Sequence, residues 1–218
     1  MTQVTINLYQ GMSHPCSYLT DQVACMHVVD PNFNITPGHY GRLLESGFRR
    51  SGDMVYRPGC QACDACLPAR IRADRFHPNR SQRRTRKKNL DIVIRSRNAE
   101  LDEQHLELYR AYLASRHADG EMSAGTIADM QRFLISDWCE TILIEGWLGE
   151  RLVLSAVTDV VDNALSALYT YYDPELPDRS LGTLGILEQI ELILEDPGMQ
   201  RRPLLLPSGH QFIECAGL

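Results

Sequence analysis

Cys60, Cys63 and Cys66 follow the spacing C-x2-C-x2-C, short enough for successive thiolates to converge on one metal centre. A closed zinc or iron-sulfur site takes four protein ligands, and Cys16, in the turn HPCSYL, is the candidate fourth. The spacing does not choose between the two metals, and reduced, half-buried thiols packing a small domain would look the same. Arg70 stands where a ferredoxin-type loop carries its next cysteine. Arg70 and Arg72 are two residues apart, so an extended backbone puts both guanidinium groups on one face and Ile71 on the other. Two such forks make a receptor for a carboxylate; salt bridges to the chain's own acids are the alternative. Arg80, Arg83, Arg84, Arg86, Lys87 and Lys88 follow in NRSQRRTRKKN, a run suited to phosphate contacts that fix position without reading sequence. Few aromatic residues interleave them, which speaks against stacking on single-strand bases.

The net charge of -6 conceals this polarity, because residues 70–97 hold eleven of the 22 lysines and arginines. A basic stripe on an acidic protein attracts a polyanion there and repels it elsewhere; a solvated basic loop is the plainer reading. With 218 residues, 44% hydrophobic and 23% charged, the composition is that of a globular protein able to form one large domain or two of about 100 residues. No apolar run nears the roughly 20 residues of a bilayer span. MTQVTINLYQ has no basic segment followed by an apolar one, and seven cysteines are an odd number. Both point to a reduced, cytoplasmic protein without a disulfide framework.

The elements that would position these groups change character near residue 98. Before it come short strands and turns: VTINLY (4–9), VACMHVVD (23–30), extended segments around Met54 and Tyr56 and over 69–76, and DIVIRSR (91–97). One helix interrupts them, HYGRLLESGF, with Tyr40, Leu43, Leu44 and Phe48 on one face. After residue 98, Leu101, Leu108, Tyr112 and Leu113 mark an amphipathic helix, and Ser123 is placed to cap a second. Two strands around a Leu-Gly-Glu turn, a third in ALSALYTYYD, a proline-bearing loop and the helix ILEQIELILE complete the order. That order resembles the N-acetyltransferase (GNAT) superfamily. The expected class is α+β, with a small cysteine-bearing domain over 1–98 and a GNAT-like α/β domain over 99–218.

Further blocks sharpen the reading. GFRRSG (47–52), VYRP (55–58), the cysteine run, LPARI (67–71) and SQRR (81–84) resemble bacterial aspartate/glutamate leucyltransferase, a relative of arginyl-tRNA–protein transferase. HPCSYL (14–19), SRHADGEM (115–122), AVTDV (156–160), ALSALYTYYDP (164–174) and RSLGTLGILEQI (179–190) extend the resemblance to roughly residues 6–195. It implies transfer of leucine from leucyl-tRNA to proteins beginning with Asp or Glu, which marks them for the N-degron pathway. The implied partners are leucyl-tRNA and those proteins, with neither DNA nor membrane, and the transfer itself implies no cofactor. Arg70 and Arg72 would receive the acidic residue. Arg49, Arg50, the basic run, Arg179 and Gly182 would hold tRNA.

Arg179-Ser-Leu-Gly182-Thr-Leu184 is similar to the superfamily's pyrophosphate loop, with Leu184 in place of its last Gly or Ala. That departure disfavours coenzyme A and suits an aminoacylated tRNA end. Tyr169, Tyr171 and Asp173 alternate along one strand face into this loop. They are the catalytic candidates, with ordinary strand packing as the alternative. After Leu194 the tail departs from the family, lacking its tyrosine-leucine-glycine-tyrosine-tryptophan strand. The second domain is therefore expected to be incomplete. The other readings are a metal-stabilised tRNA-binding homologue without catalysis and an acetyl-CoA N-acyltransferase.

Overall fold

The computed structural model describes residues 4–116, 125–162, 164–196 and 202–206. Four short strands form the smaller sheet: β1 (Leu8–Gln10), β4 (Met26–Val29), β5 (Arg49–Ser51) and β6 (Met54–Pro58), in the order β1-β4-β6-β5. A two-stranded ribbon of β2 (His14–Pro15) and β3 (Val23–Ala24) stands beside it. Helix α1 (Pro37–Glu45) starts at Thr36, whose hydroxyl accepts from the His39 N–H, with Pro37 preset for the first turn.

The larger sheet contains β7 (Ala69–Arg72), β8 (Val93–Asn98), β9 (Glu140–Leu148), β10 (Arg151–Val161), β11 (Ala164–Tyr172) and β12 (Pro203–Leu206), ordered β7-β12-β11-β10-β9-β8. Helices α3 (Glu103–Arg116) and α4 (Ile127–Leu134) cover one face, where Leu106, Tyr109, Leu113 and Leu134 pack on Leu143, Val157 and Tyr171. Helix α5 (Leu181–Glu195) covers the other through Ile186, Ile190 and Ile193, against Leu165, Ala167 and Leu204. With both faces covered, β10 is buried from Leu152 to Asp159, which explains its almost unbroken apolar run.

The order helix, helix, strand, strand, strand, loop, helix stands as read from the sequence. The boundary at residue 98 does not divide the sheets. Strands β7 and β8 precede it, yet they form the two edges of the larger sheet. The tail also behaves differently from expectation. Although it lacks the family's motif, Pro203–Leu206 forms β12 between β11 and β7, since Leu204, Leu205 and Leu206 supply buried apolar side chains. The expected cap Ser123 and the last twelve residues lie outside the described residues, and α4 is capped by Thr126 and Asp129 in a capping box.

The two sheets share a core. Tyr40, Leu43, Leu44 and Phe48 of the smaller unit pack with Cys139, Val161, Ala164 and Leu205 of the larger. Through this core runs a buried ion pair. Arg50 Nε donates to Asp159 Oδ2 at 2.8 Å and Nη2 to Asp159 Oδ1 at 2.5 Å, with neither side chain exposed. Arg50 also donates to the Gly52 and Leu134 carbonyls and to Thr141 Oγ1, while the Tyr40 hydroxyl donates to Asp159 Oδ2 at 3.0 Å. The Gly52 N–H donates to Phe133 O at 2.7 Å, so the β5–β6 hairpin closes the C-terminal end of α4. Gly52 has φ +55°, and a Cβ there would collide with the Arg132 carbonyl.

Asp159→Ala leaves a buried guanidinium without its carboxylate and is expected to cost about 3–5 kcal/mol of unfolding free energy, read from the urea midpoint. Replacing both partners together, Arg50→Met with Asp159→Leu, should cost clearly less, because no unpaired charge remains.

Candidate active site

Strands β11 and β12 run parallel and pair only at Leu165–Leu204 and Ser166–Leu205. Among the described residues, β11 has no pairing to β12 past that point. Its register against β10 slips there as well: Val157 faces Tyr169 while Thr158 faces Ala167, so Leu168 is the extra residue of a bulge. A bulge reverses the alternation of the residues beyond it. Ala167 therefore packs towards α5, whereas Tyr169 and Tyr171 pack towards α3.

Leu168 and Tyr169 form one wall of a cavity of about 520 Å³ between the two sheets. Phe133 and Leu134, at the end of α4, form the adjoining wall, held by the Gly52 and Arg50 contacts to their carbonyls. Arg49 and Tyr56 come from the smaller sheet, with the Arg49 guanidinium carbon 5.2 Å from the centre of the Tyr56 ring. The loops before β3 and after β6 bring in Cys16, Cys60, Cys63 and Cys66. All four cysteines expected at a metal centre thus line one space, each half-buried. Burial pushes the Cys66 thiol up; Arg49 pulls it down, while Cys60, Cys16 and Cys63 add to the rise, so the sulfurs sense one another. Among the described residues, no three His, Cys, Asp or Glu side chains are drawn together in metal-holding geometry.

The catalytic candidates separate. Tyr169 lines the cavity, edge-on to Phe133 with ring centres 5.6 Å apart. Burial raises its hydroxyl far above the usual phenol range, aided by Tyr109 and Tyr18, so it remains a neutral donor. Tyr171 is wholly buried under α3, with its ring centre 5.4 Å from that of Tyr109. Asp173 is buried too, paired with Arg151, and its Oδ1 accepts from the Glu175 N–H at 2.9 Å. It shapes the turn after β11. Tyr171 and Asp173 therefore read as packing and turn residues, and of the three only Tyr169 lines the cavity.

The cations expected at tRNA or substrate separate as well. Arg50 is committed to Asp159 and shielded from solvent, which removes it from the tRNA contacts. Helix α2 (Arg80–Lys88) carries the basic run, opened by a reciprocal Asn79–Gln82 capping box. Its inner face is polar, with Gln82, Thr85 and Arg86 turned to the protein, so no apolar period marks it in the sequence. Arg86 is spent on α5, donating to Glu191 Oε2 at 2.7 Å and Leu187 O at 3.1 Å. Lys88 Nζ donates to Asp178 O at 2.7 Å. Arg80, Arg83, Arg84 and Lys87 are exposed.

Arg179 makes a two-pronged pair with Asp91 at 2.7 and 2.8 Å, fixing the loop that opens α5. Gly182 and Leu184 lie buried in the first turn of that helix. Arg70 and Arg72 share the outward face of β7 as the alternation predicts, but they do not reach the large cavity. Arg72 pairs with Asp74 at 2.6 Å, and Arg70 Nη2 donates to Glu45 O at 2.6 Å. Sequence reasoning missed Phe133 and Leu168 as cavity walls, because only the α4 docking and the bulge turn them inward.

Comparison with known proteins agrees with this layout. Residues 14–84 match the model of the N terminus of arginine-tRNA-protein transferase, and residues 104–205 match the model of its C terminus. The aspartate/glutamate leucyltransferase of Hahella chejuensis is 41% identical over 92% of this chain and 84% of its own length. That of Alkalilimnicola ehrlichii is 45% identical, covering 84% of this chain and 77% of its own. That of Pseudomonas putida strain W619 is 44% identical, covering 87% and 81%. Matched over nearly all of both its sheets and its cavity, the chain belongs to the aspartate/glutamate leucyltransferase family.

Proposed function

We propose that this protein transfers leucine from leucyl-tRNA to the α-amino group of proteins beginning with Asp or Glu, in the cytoplasm, as a labelling step of the N-degron pathway. The observation that carries the reading is the identity of 41–45% to leucyltransferases over most of the chain. No described helix is long and apolar enough to cross a membrane. The outward cations of α2, Arg80, Arg83, Arg84 and Lys87, suit contacts to the tRNA backbone.

The leucyl ester is already activated, so the protein's task is alignment, proton removal and support of charge on the carbonyl oxygen. The cavity is suited to that. Phe133, Leu134 and Leu168 form an apolar surface for a branched aliphatic side chain. The incoming amine forms a C–N bond to the ester carbonyl carbon, the C–O bond to the ribose breaks, and the amine's proton is lost as the ribose hydroxyl is restored. Tyr169, neutral at working pH and on the cavity wall, is the donor we assign to the oxygen that gains charge. A thiol set of Cys16, Cys60, Cys63 and Cys66 is the donor chemistry of structural zinc or an iron-sulfur cluster. A metal there would tie the ribbon of β2 and β3 to the loop after β6.

Incubation with labelled leucyl-tRNA and peptides beginning with Asp, Glu or Ala is expected to label the first two; label on none of them, with tRNA bound, would favour the non-catalytic homologue. Tyr169→Phe should lower kcat about 100- to 1,000-fold with KM little changed, as for loss of one oxyanion donor; an unchanged kcat removes Tyr169 from the chemistry. Protein purified without oxygen is expected to carry about one equivalent of zinc or of an iron-sulfur cluster, lost on Cys63→Ser together with several degrees of Tm. Metal content below about half an equivalent would mean that the thiols only pack.

A further inference from the structure

The reaction needs a receptor for the acidic first side chain within reach of the acyl group, and Arg70 and Arg72 stand outside the cavity that Tyr169 lines. Among the described residues, the arginines that border this cavity are Arg49 and Arg50, the latter with its side chain withdrawn from solvent. Arg50 is neutralised by Asp159 inside the core. We infer that Arg49, rather than Arg70 or Arg72, reads the carboxylate of the N-terminal Asp or Glu, from within the same cavity that takes the leucyl group.

Four observations carry this assignment. Arg49 and Arg50 are successive residues of β5, so their side chains leave the strand on opposite faces. Because the Asp159 pair fixes Arg50 inward, it also fixes the direction of Arg49. Tyr56, opposite Arg49 in the β5–β6 pair, sets its ring centre 5.2 Å from the guanidinium carbon, a cation–π contact that restrains the side chain on the cavity side. The site is half-buried, where a charge-assisted hydrogen bond counts for more than at an exposed position such as Arg72. Asp64, on the cysteine loop, lines the same cavity and gives it an opposite pole to face the α-ammonium of the incoming residue. An N-terminal Asp or Glu carries both charges on one residue, and this arrangement complements both.

The assignment rests on the leucyltransferase reading, and the experiment separates the two. Affinities of peptides beginning with Asp and with its uncharged isostere Asn are measured by calorimetry without tRNA, alongside leucyl transfer at saturating leucyl-tRNA. In the wild-type protein Asp should bind more tightly than Asn. Arg49→Gln and Arg49→Met are each expected to lower affinity and kcat/KM for Asp and Glu peptides about 10- to 100-fold while leaving Asn peptides within about twofold, the loss of one charged hydrogen bond. Arg70→Ala and Arg72→Ala should leave the Asp-to-Asn ratio within about twofold. Arg49→Lys should retain part of the preference.

Preserved Asp preference in folded Arg49→Gln, collapse of that preference in Arg70→Ala or Arg72→Ala, or equal loss of Asp and Asn peptides would each overturn the assignment. If no substitution of Arg49 except lysine folds, Arg49→Lys with undiminished Asp preference and Arg70→Ala with lost preference would do so. Selective peptide binding by the wild type without any leucyl transfer would count against the transferase reading alone.

Discussion

The ion pair between Arg50 and Asp159 is the interaction on which the rest of the molecule depends. It joins β5 of the smaller sheet to β10 of the larger, and the same guanidinium reaches the last carbonyl of α4. Two charges removed from water give little net stability unless every donor and lone pair is engaged. Here Arg50 bonds to Asp159, Thr141 and two carbonyls, and Tyr40 adds a donor to the carboxylate. Such a cluster does not tolerate a shifted register, since any slip would strand a charge in the core. Its principal effect is to fix how the two sheets and α4 meet.

The cavity is a product of that fixed meeting. The small sheet contributes Arg49 and Tyr56, the long loops contribute cysteines, and the larger sheet contributes Leu168 and Tyr169 at the β11 bulge. An apolar wall, a neutral phenol and a cation are brought together from segments more than a hundred residues apart in sequence. Aminoacyl transfer asks for that combination: one pocket for an aliphatic side chain, one counter-charge for the acceptor, and a donor near the carbonyl between them.

Much of this was legible in the sequence. The strand and helix order of the second half follows from apolar period; Cys16, Cys60, Cys63 and Cys66 line one cavity, but among the described residues no three of them are drawn together as metal ligands. Other features were hidden for physical reasons. Helix α2 packs through glutamine, threonine and arginine, so hydrophobic periodicity is silent, although its Asn79–Gln82 capping box was readable. In the pair Arg49–Arg50 the two charges look alike along the chain, but strand geometry sends one to the core and the other to the cavity. Tyr169 and Tyr171 do alternate on one face as expected. The face, however, runs from the cavity into the packed interior, and the Leu168 bulge that turns it leaves no mark in the residue types. The sheets do not follow the boundary at residue 98, because edge strands β7 and β8 are recruited from the first part of the chain.

We propose the space between the two sheets as the place where leucine is handed over. A crystal structure with a non-hydrolysable 3′-leucylamino-adenosine tests it most directly. The leucyl side chain is expected against Phe133 and Leu168, its carbonyl oxygen within hydrogen-bond distance of the Tyr169 hydroxyl, and the adenosine directed out of the cavity. A leucyl group seated instead at the start of α5, beside Gly182, with the cavity between the sheets left without ligand, would contradict it.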